Sequence, residues 1–298
     1  VDRDFIELSN LQRQVLFDEQ DVADGIPKAE AAKRKLARIN SQVEVTAIVD
    51  DINHRNIERF ADGADLLIDG LDNFETRYLA NDLAVKKFIP YMYGGAVGTV
   101  GMAYAIIPDP DDEKSTPCLR CLFAEAPGPG TVATCDTAGV IGPVVSIVAN
   151  FEVNEALKVL TGNRALVNPA MLNIDLWGNT LMQLKVANAR DDGDCPCCKH
   201  RQFDYLDGKA GTSSTSLCGR NAVQLTHRQN VGKINFEDLA ERLSAHGSVS
   251  CNEFILRARI SENGSDYELS LFPDGRAIVK GTGDTTVAKN VFAKYVGG

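Results

Sequence analysis

No apolar run in this 298-residue sequence approaches the ~18–20 residues that a membrane-crossing helix needs. No cationic-then-apolar segment opens the chain. Basic residues are in deficit: 31 Lys and Arg stand against 41 Asp and Glu, a net charge of −10. That argues against nucleic acid as a general partner, because such binders carry a broad basic footprint. It leaves room for a local phosphate site. Eight cysteines are too few and too clustered for a disulfide scaffold. Wholesale disorder is excluded as well, since 44 % hydrophobic and 24 % charged residues are globular proportions. What remains is a folded chain without membrane spans, expected in a reducing compartment, the cytoplasm. Its length suits one large domain or two smaller ones.

The first hundred residues alternate between strand and helix patterns. Val43, Val45, Ala47 and Val49 alternate with polar residues, which predicts a strand. Residues 64–69 are a short apolar run ending in acid, which predicts a buried strand. Pro27 opens a helix over 28–39, and 74–88 reads as an amphipathic helix. Residues 90–107 read as strand, Gly-rich bend (Gly94, Gly95, Gly98) and strand. This order favours a mostly parallel α/β sheet covered by helices on both faces. Ligands of such sheets sit at the carboxyl ends of the strands, where Asp2 and residues 69–73 fall. Residues 142–160 form a long apolar stretch, expected to be a buried helix. Two strands follow at 170–176 and 180–186. Three parts are expected: 1–202 as the larger domain, 203–216 as a Gly/Ser/Thr-rich linker and 217–298 as a small α+β domain.

The strongest chemical signal is two CxxC pairs, Cys118/Cys121 and Cys195/Cys198. Each can clamp one side of a tetrahedral Zn²⁺, and four thiolates leave no open catalytic position. The fold must bring the halves together, so the metal would staple distant loops. Cys197 and His200 are alternative ligands, ranked lower because the Cys195/Cys198 spacing mirrors the first pair. A second signal is distributed. Arg13 and Lys28 offer fixed positive charge for phosphate oxygens. Asp72, at a strand end beside Asn73, can hold Mg²⁺. Asp2 at a strand end can accept hydrogen bonds from ribose hydroxyls. Together these describe a nucleoside triphosphate site.

The run Asp2-x-Asp4-x-x-x-x-x-Asn10-Leu11-x-Arg13-Gln14 resembles the MoeB/ThiF family, the bacterial branch of the ubiquitin-activating enzyme superfamily. Lys28, Asp72-Asn73, both CxxC pairs and Thr134-Cys135 complete the likeness, which spans about residues 1–200. The resemblance implies a Rossmann-like, zinc-stapled domain. It implies an adenylyltransferase that uses ATP and Mg²⁺ to adenylylate the C-terminal glycine of a ubiquitin-like sulfur carrier ending in Gly-Gly. That chemistry serves molybdopterin, thiamine or related biosynthesis. It implies that Asp2 binds ribose, that Asn10, Arg13 and Lys28 contact the nucleotide and its phosphates, and that Asp72, next to Asn73, coordinates Mg²⁺. Cys118, Cys121, Cys195 and Cys198 would hold structural Zn²⁺. Cys135 matches a cysteine that some relatives use as a covalent acceptor, and a place before a helix N-terminus suits a lowered thiol pKa. A homodimer and a sulfurtransferase partner are implied too.

The sequence departs from the family at its front. The GxGGxG-type loop that cradles phosphates at a helix N-terminus would precede Val1, so the chain is expected to be a fragment. Gly94-Gly95-x-x-Gly98 is no replacement, because it leads into another strand. Residues 203–298 resemble an extension of some bacterial members, read as a partner-binding or carrier-positioning domain or as a stabilising appendage. Two other functions compete: a relative acting on another acyl substrate such as a modified tRNA, and a non-catalytic zinc-containing binding module.

Overall fold

The computed structural model describes residues 1–111, 115–125, 138–210, 216–217, 222–226, 236–262, 264–273 and 275–296. The chain opens in an extended segment and a short turn over Leu8–Asn10, then forms α1 (Glu19–Asp24) and α2 (Lys28–Ile39). Asp18 caps α1 by accepting from the N–H groups of Gln20 and Asp21. Gly25 closes it at φ +61°, a left-handed conformation that glycine adopts without strain. Pro27 stands at the head of α2, where its fixed φ suits a helix start.

The first sheet runs in the order β1 (Leu67–Ile68), β2 (Tyr91–Val97), β3 (Val100–Ile106), β4 (Ala170–Asp175), β5 (Thr180–Lys185). Between its strands lie α3 (Ile57–Phe60, before β1), α4 (Phe74–Lys87), α5 (Leu119–Leu122) and α6 (Gly142–Leu160). Side chains alternate along β2 and β3, and each set finds its own cover. Tyr91, Tyr93, Tyr104 and Ile106 pack with α4 on one face. Met92, Ala105 and Ile107 pack with Ala156 of α6 on the other. The expected α/β architecture with helices on both faces is therefore present. Its proportions differ from the expectation: β1–β2 is parallel, while β2–β3, β3–β4 and β4–β5 are antiparallel. Periodicity reports which face is buried, not the direction of pairing.

The expected strand at 43–49 forms no ladder among the described residues. Ile48 accepts one backbone bond from Asp2, at 3.0 Å. The hairpin of 90–107 turns at Gly98 (φ +61°), while Gly94 and Gly95 lie inside β2. The 142–160 helix has the expected span, yet it is only half covered. Val144, Val148 and Ala156 are buried beside two carboxyl groups, Glu152 and Glu155, while Val153, Leu157 and Leu160 stay exposed.

The second sheet is antiparallel, in the order β6 (Ser216–Leu217), β7 (Ala222–Thr226), β11 (Arg276–Lys280), β10 (Ser265–Leu271), β9 (Leu256–Glu262), β8 (Gly247–Cys251). Following α7 (Asn188–Asp191), the helices of this region are α8 (Phe236–Ser244) and α9 (Thr285–Tyr295). Leu239 and Leu243 of α8 and Ala288 and Val291 of α9 form one core with Leu256 and Leu269. The expected linker at 203–216 starts as packed structure. Leu206 is buried, the Tyr205 ring stacks on Tyr78 of α4, and Asp82 accepts from the backbone N–H groups of Tyr205 and Leu206. Residues 211–215 lie outside the described residues.

Gly101 of β3 faces α6. A Cβ there would stand 2.6 Å from Cγ2 of Val148 and 2.8 Å from Cγ2 of Val144. We expect Gly101→Ala to lower stability by about 1–3 kcal/mol through overpacking, read as a drop in the urea midpoint at unchanged slope.

Candidate functional site

The four CxxC cysteines meet. Their sulfurs lie within 4.8 Å of one another. Individual separations are 3.8 Å for Cys118–Cys121, 3.6 Å for Cys118–Cys195 and 3.3 Å for Cys121–Cys198. Four thiolates at about 2.3 Å from a central Zn²⁺ would stand about 3.8 Å apart, so the cluster fits a tetrahedral ion. Thiolates this close repel one another unless a cation lies between them. Cys118 and Cys195 are buried, which shields the centre from exchange with solvent. The alternatives are outside the four-sulfur group, Cys197 beside it and His200 apart from it. Cys197 accepts from Asn81 Nδ2 at 3.4 Å, and His200 pairs with Asp194.

The surroundings of the cluster tie it to α4. Asn81 is fully buried and accepts the N–H of Leu119, the residue after the first ligand, at 2.8 Å. Arg120 reaches Asp204 at 3.3 Å and lies over the Tyr205 ring. Burial pushes the Asp82 carboxyl up to about 6.

The nucleotide-site candidates fall into three groups, each held by its own bonds. In the first, Asp2 Oδ1 accepts the N–H of Asp4 at 2.7 Å, and Lys28 Nζ lies 3.3 Å from Asp4 Oδ2. The N–H of Lys28 also donates to the carbonyl of Asp4 at 2.9 Å. Burial raises the Asp2 carboxyl above its ordinary value, while the Asp4 N–H and the Lys28 charge pull it back. In the second group, Asn10 is buried and its Oδ1 accepts the N–H of Glu7, which closes the Leu8–Asn10 turn. Arg13 Nη1 donates to the carbonyl of Ser9 at 3.0 Å. This turn lies against the start of α6, for Gln12 Nε2 donates to the carbonyl of Val140 and the Gln12 carbonyl crowds Gly142. The third group is the loop after β1. Asn73 caps α4 by accepting the N–H of Thr76 at 2.8 Å and donates to Asp72 Oδ1 at 3.3 Å. Asp72 itself is exposed. Cys135 lies outside the described residues.

The groups that hold this loop in place are Asp69, Arg77 and Tyr91, of which the sequence signals only Asp69. Asp69 is buried at the end of β1. Its Oδ2 accepts from Arg77 Nε at 3.0 Å and from the Tyr91 hydroxyl at 2.7 Å, and its Oδ1 accepts the N–H of Leu71 at 2.8 Å. Arg77 Nη2 donates to the carbonyls of Leu71 and Gly94. Asp69 and Arg77 are eight residues apart on different elements, so only the acid at a strand end was visible as a signal. Beneath them is Glu152 of α6, facing Gly94, with its Oε1 buried and unpartnered. Burial, then the Asp69 charge, push the Glu152 carboxyl up to about 9, with Arg77 opposing.

These features define a mixed α/β domain with a cluster of four cysteines that could hold a metal ion and with polar loops at the strand ends. The chain belongs to the ThiF family, whose profile matches residues 1–197. It is 42 % identical to the Bacillus subtilis sulfur carrier protein ThiS adenylyltransferase over 298 residues, 99 % of this chain and 84 % of that protein. It is 36 % identical to the Haloferax volcanii SAMP-activating enzyme E1 over 70 % of this chain and 73 % of that protein. Among solved structures it resembles Escherichia coli MccB, with a TM-score of 0.52 and 24 % identity over 62 % of this chain and 56 % of that one, a likeness of fold.

The Glu152 shift has a pH signature. The native state keeps a proton that the unfolded chain loses above the ordinary carboxylate value. The contribution of this group is therefore whole below about pH 4.5 and fades as pH rises toward 9. We expect Glu152→Gln, which stays neutral, to gain in urea midpoint over the parent protein steadily from pH 5 to pH 9.

Proposed function

We infer that this protein activates the C-terminal glycine of a small ubiquitin-like sulfur carrier by adenylylation. The observation that carries the reading is the 42 % identity to a sulfur carrier protein ThiS adenylyltransferase along 99 % of the chain. A carboxylate is a poor electrophile. Its oxygen attacks the α-phosphorus of ATP, the bond to the bridging oxygen of the β-phosphate breaks, and pyrophosphate leaves with its charge. Neutralising that charge is the main catalytic task.

The residues divide the work as follows. Lys28, steadied by Asp4, and Arg13 face the phosphates with fixed positive charge. Asp2, held by the Asp4 N–H, accepts from the ribose hydroxyls. Asp72, on the loop locked by Asp69 and Arg77, would hold Mg²⁺, which would supply positive charge to offset that of the phosphates. Asn10 and Asn73 shape the two turns that carry Arg13 and Asp72, and each remains a nucleotide contact in this reading. Cys118, Cys121, Cys195 and Cys198 hold structural Zn²⁺, favoured over harder cations by four soft thiolates. Cys135 is the proposed acceptor for the activated carrier. A homodimer, a sulfurtransferase partner and the reducing cytoplasm, which keeps the thiols free, complete the proposal. No helix among the described residues is long and apolar enough to cross a membrane.

ATP–pyrophosphate exchange against a panel of Gly-Gly-ended carriers tests this function. Exchange with at least one carrier is expected. Lys28→Ala and Asp72→Ala should each lower it about 10²-fold with metal content unchanged. No exchange with any carrier would point to the binding-module reading, and an unaffected Asp72→Ala would remove the Mg²⁺ role.

A further inference from the structure

The C-terminal domain has no part in the chemistry described so far, yet it touches the nucleotide segment at regular intervals. Residues 2–7 alternate in what they face. Asp2 and Asp4 turn toward Lys28, and Ile6 is buried. Arg3, Phe5 and Glu7 turn toward the second sheet. Arg3 Nη1 donates to Gln224 Oε1 of β7 at 3.1 Å and lies 3.0 Å from Asp51. The Phe5 ring packs 5.8 Å from the Phe272 ring and beneath the Arg257 guanidinium at 5.0 Å. Lys280 Nζ of β11 lies 2.9 Å from Glu7 Oε1.

The same domain also holds the approach to Lys28. Asn252 Nδ2 donates to the carbonyls of Asp24 and Gly25, both at 3.1 Å. Gly25 is two residues before Pro27, which pairs with Phe5 in a β-bridge. Glu253 lies 3.8 Å from Arg34, whose guanidinium also covers the Phe254 ring. The two stretches that present Asp2, Asp4 and Lys28 are thus both held by the C-terminal domain, through its sheet and through the loop between β8 and β9. The segment 2–7 is bridged to Pro27 at Phe5, and its contacts divide between two sides: one side reads the ligand while the other is read by the scaffold.

We propose that the C-terminal domain is a clamp that sets the position of the ATP-binding strand, with Arg3, Phe5 and Glu7 as positioning residues read by Gln224, Arg257, Phe272 and Lys280. The clamp rests on the assignment of Asp2, Asp4 and Lys28 to nucleotide binding. It acts on the nucleotide, so its loss changes the KM for ATP and leaves the KM for the carrier alone.

The test is a charge swap across the exposed Glu7–Lys280 pair in the full-length protein, followed by ATP–pyrophosphate exchange. Glu7→Lys and Lys280→Glu should each raise the KM for ATP about threefold, the scale of one exposed ion pair, with kcat and the carrier KM unchanged. The double variant should recover part of the loss, because Lys280 also lies 3.8 Å from Glu268 of β10. Asp2→Ala, measured alongside, tests the underlying assignment and should raise the same KM. If Asp2→Ala raises it while both single swaps leave it unchanged in folded, metal-loaded protein, the clamp is wrong. It is equally wrong if the double variant stays as impaired as the single ones. If Asp2→Ala itself leaves the KM for ATP unchanged, the nucleotide assignment fails and the clamp falls with it.

Discussion

The rest of the larger domain depends on the meeting of Cys118/Cys121 with Cys195/Cys198. Closing a loop of this length costs chain entropy on the order of 4 kcal/mol, which a metal ion bound by the four thiolates would offset. The consequence reaches far beyond the sulfurs. Leu119, next to the first ligand, donates to Asn81, and Asn81 donates to Cys197. Asp82, the next residue of the helix, receives the backbone of Tyr205 and Leu206. The cysteine centre, the middle of the Phe74–Lys87 helix and residues 203–206 are therefore one unit.

That helix is also the support of the loop that carries Asp72. Its first turn holds the Asn73 cap and Arg77, and Arg77 ties Asp69, Leu71 and Gly94 together. An arginine shared between a buried carboxylate and two carbonyls is satisfied on several sides, which fixes the loop that presents Asp72. Glu152 lies under the same network as a neutral acid. Keeping it uncharged avoids placing a second buried anion beside Asp69, where only Arg77 offsets the charge. The proposed site is thus flanked by the helix tied to the cysteine cluster and by the C-terminal sheet.

Much of this was legible in the sequence. The CxxC spacing announces its own chemistry, and the helices at 28–39 and 142–160 have the bounds that Pro27 and the apolar run suggest. The 90–107 hairpin was legible too, though its turn sits at Gly98. The rest was hidden for physical reasons. Alternation in residues 43–49 gives a pattern but not a neighbour to pair with, and no ladder forms there among the described residues. Polar residues Gly247–Cys251 become a strand because Leu256–Glu262 offers an edge, which no local propensity reveals. Asn10 and Asn73 read as ligands, yet their side chains also serve local turns, a common double use of asparagine. Asp69, Arg77 and Glu152 are joined only by the fold, and the outward side of residues 3–7 has meaning only once the second sheet is in place.

The most direct test of this account is the metal content of the purified protein, measured for the parent chain and for Cys118→Ser and Cys195→Ser. The account predicts one zinc ion per chain in the parent protein, lost in each variant together with a lowered unfolding midpoint. A parent protein without stoichiometric zinc would contradict it, as would variants that keep the ion.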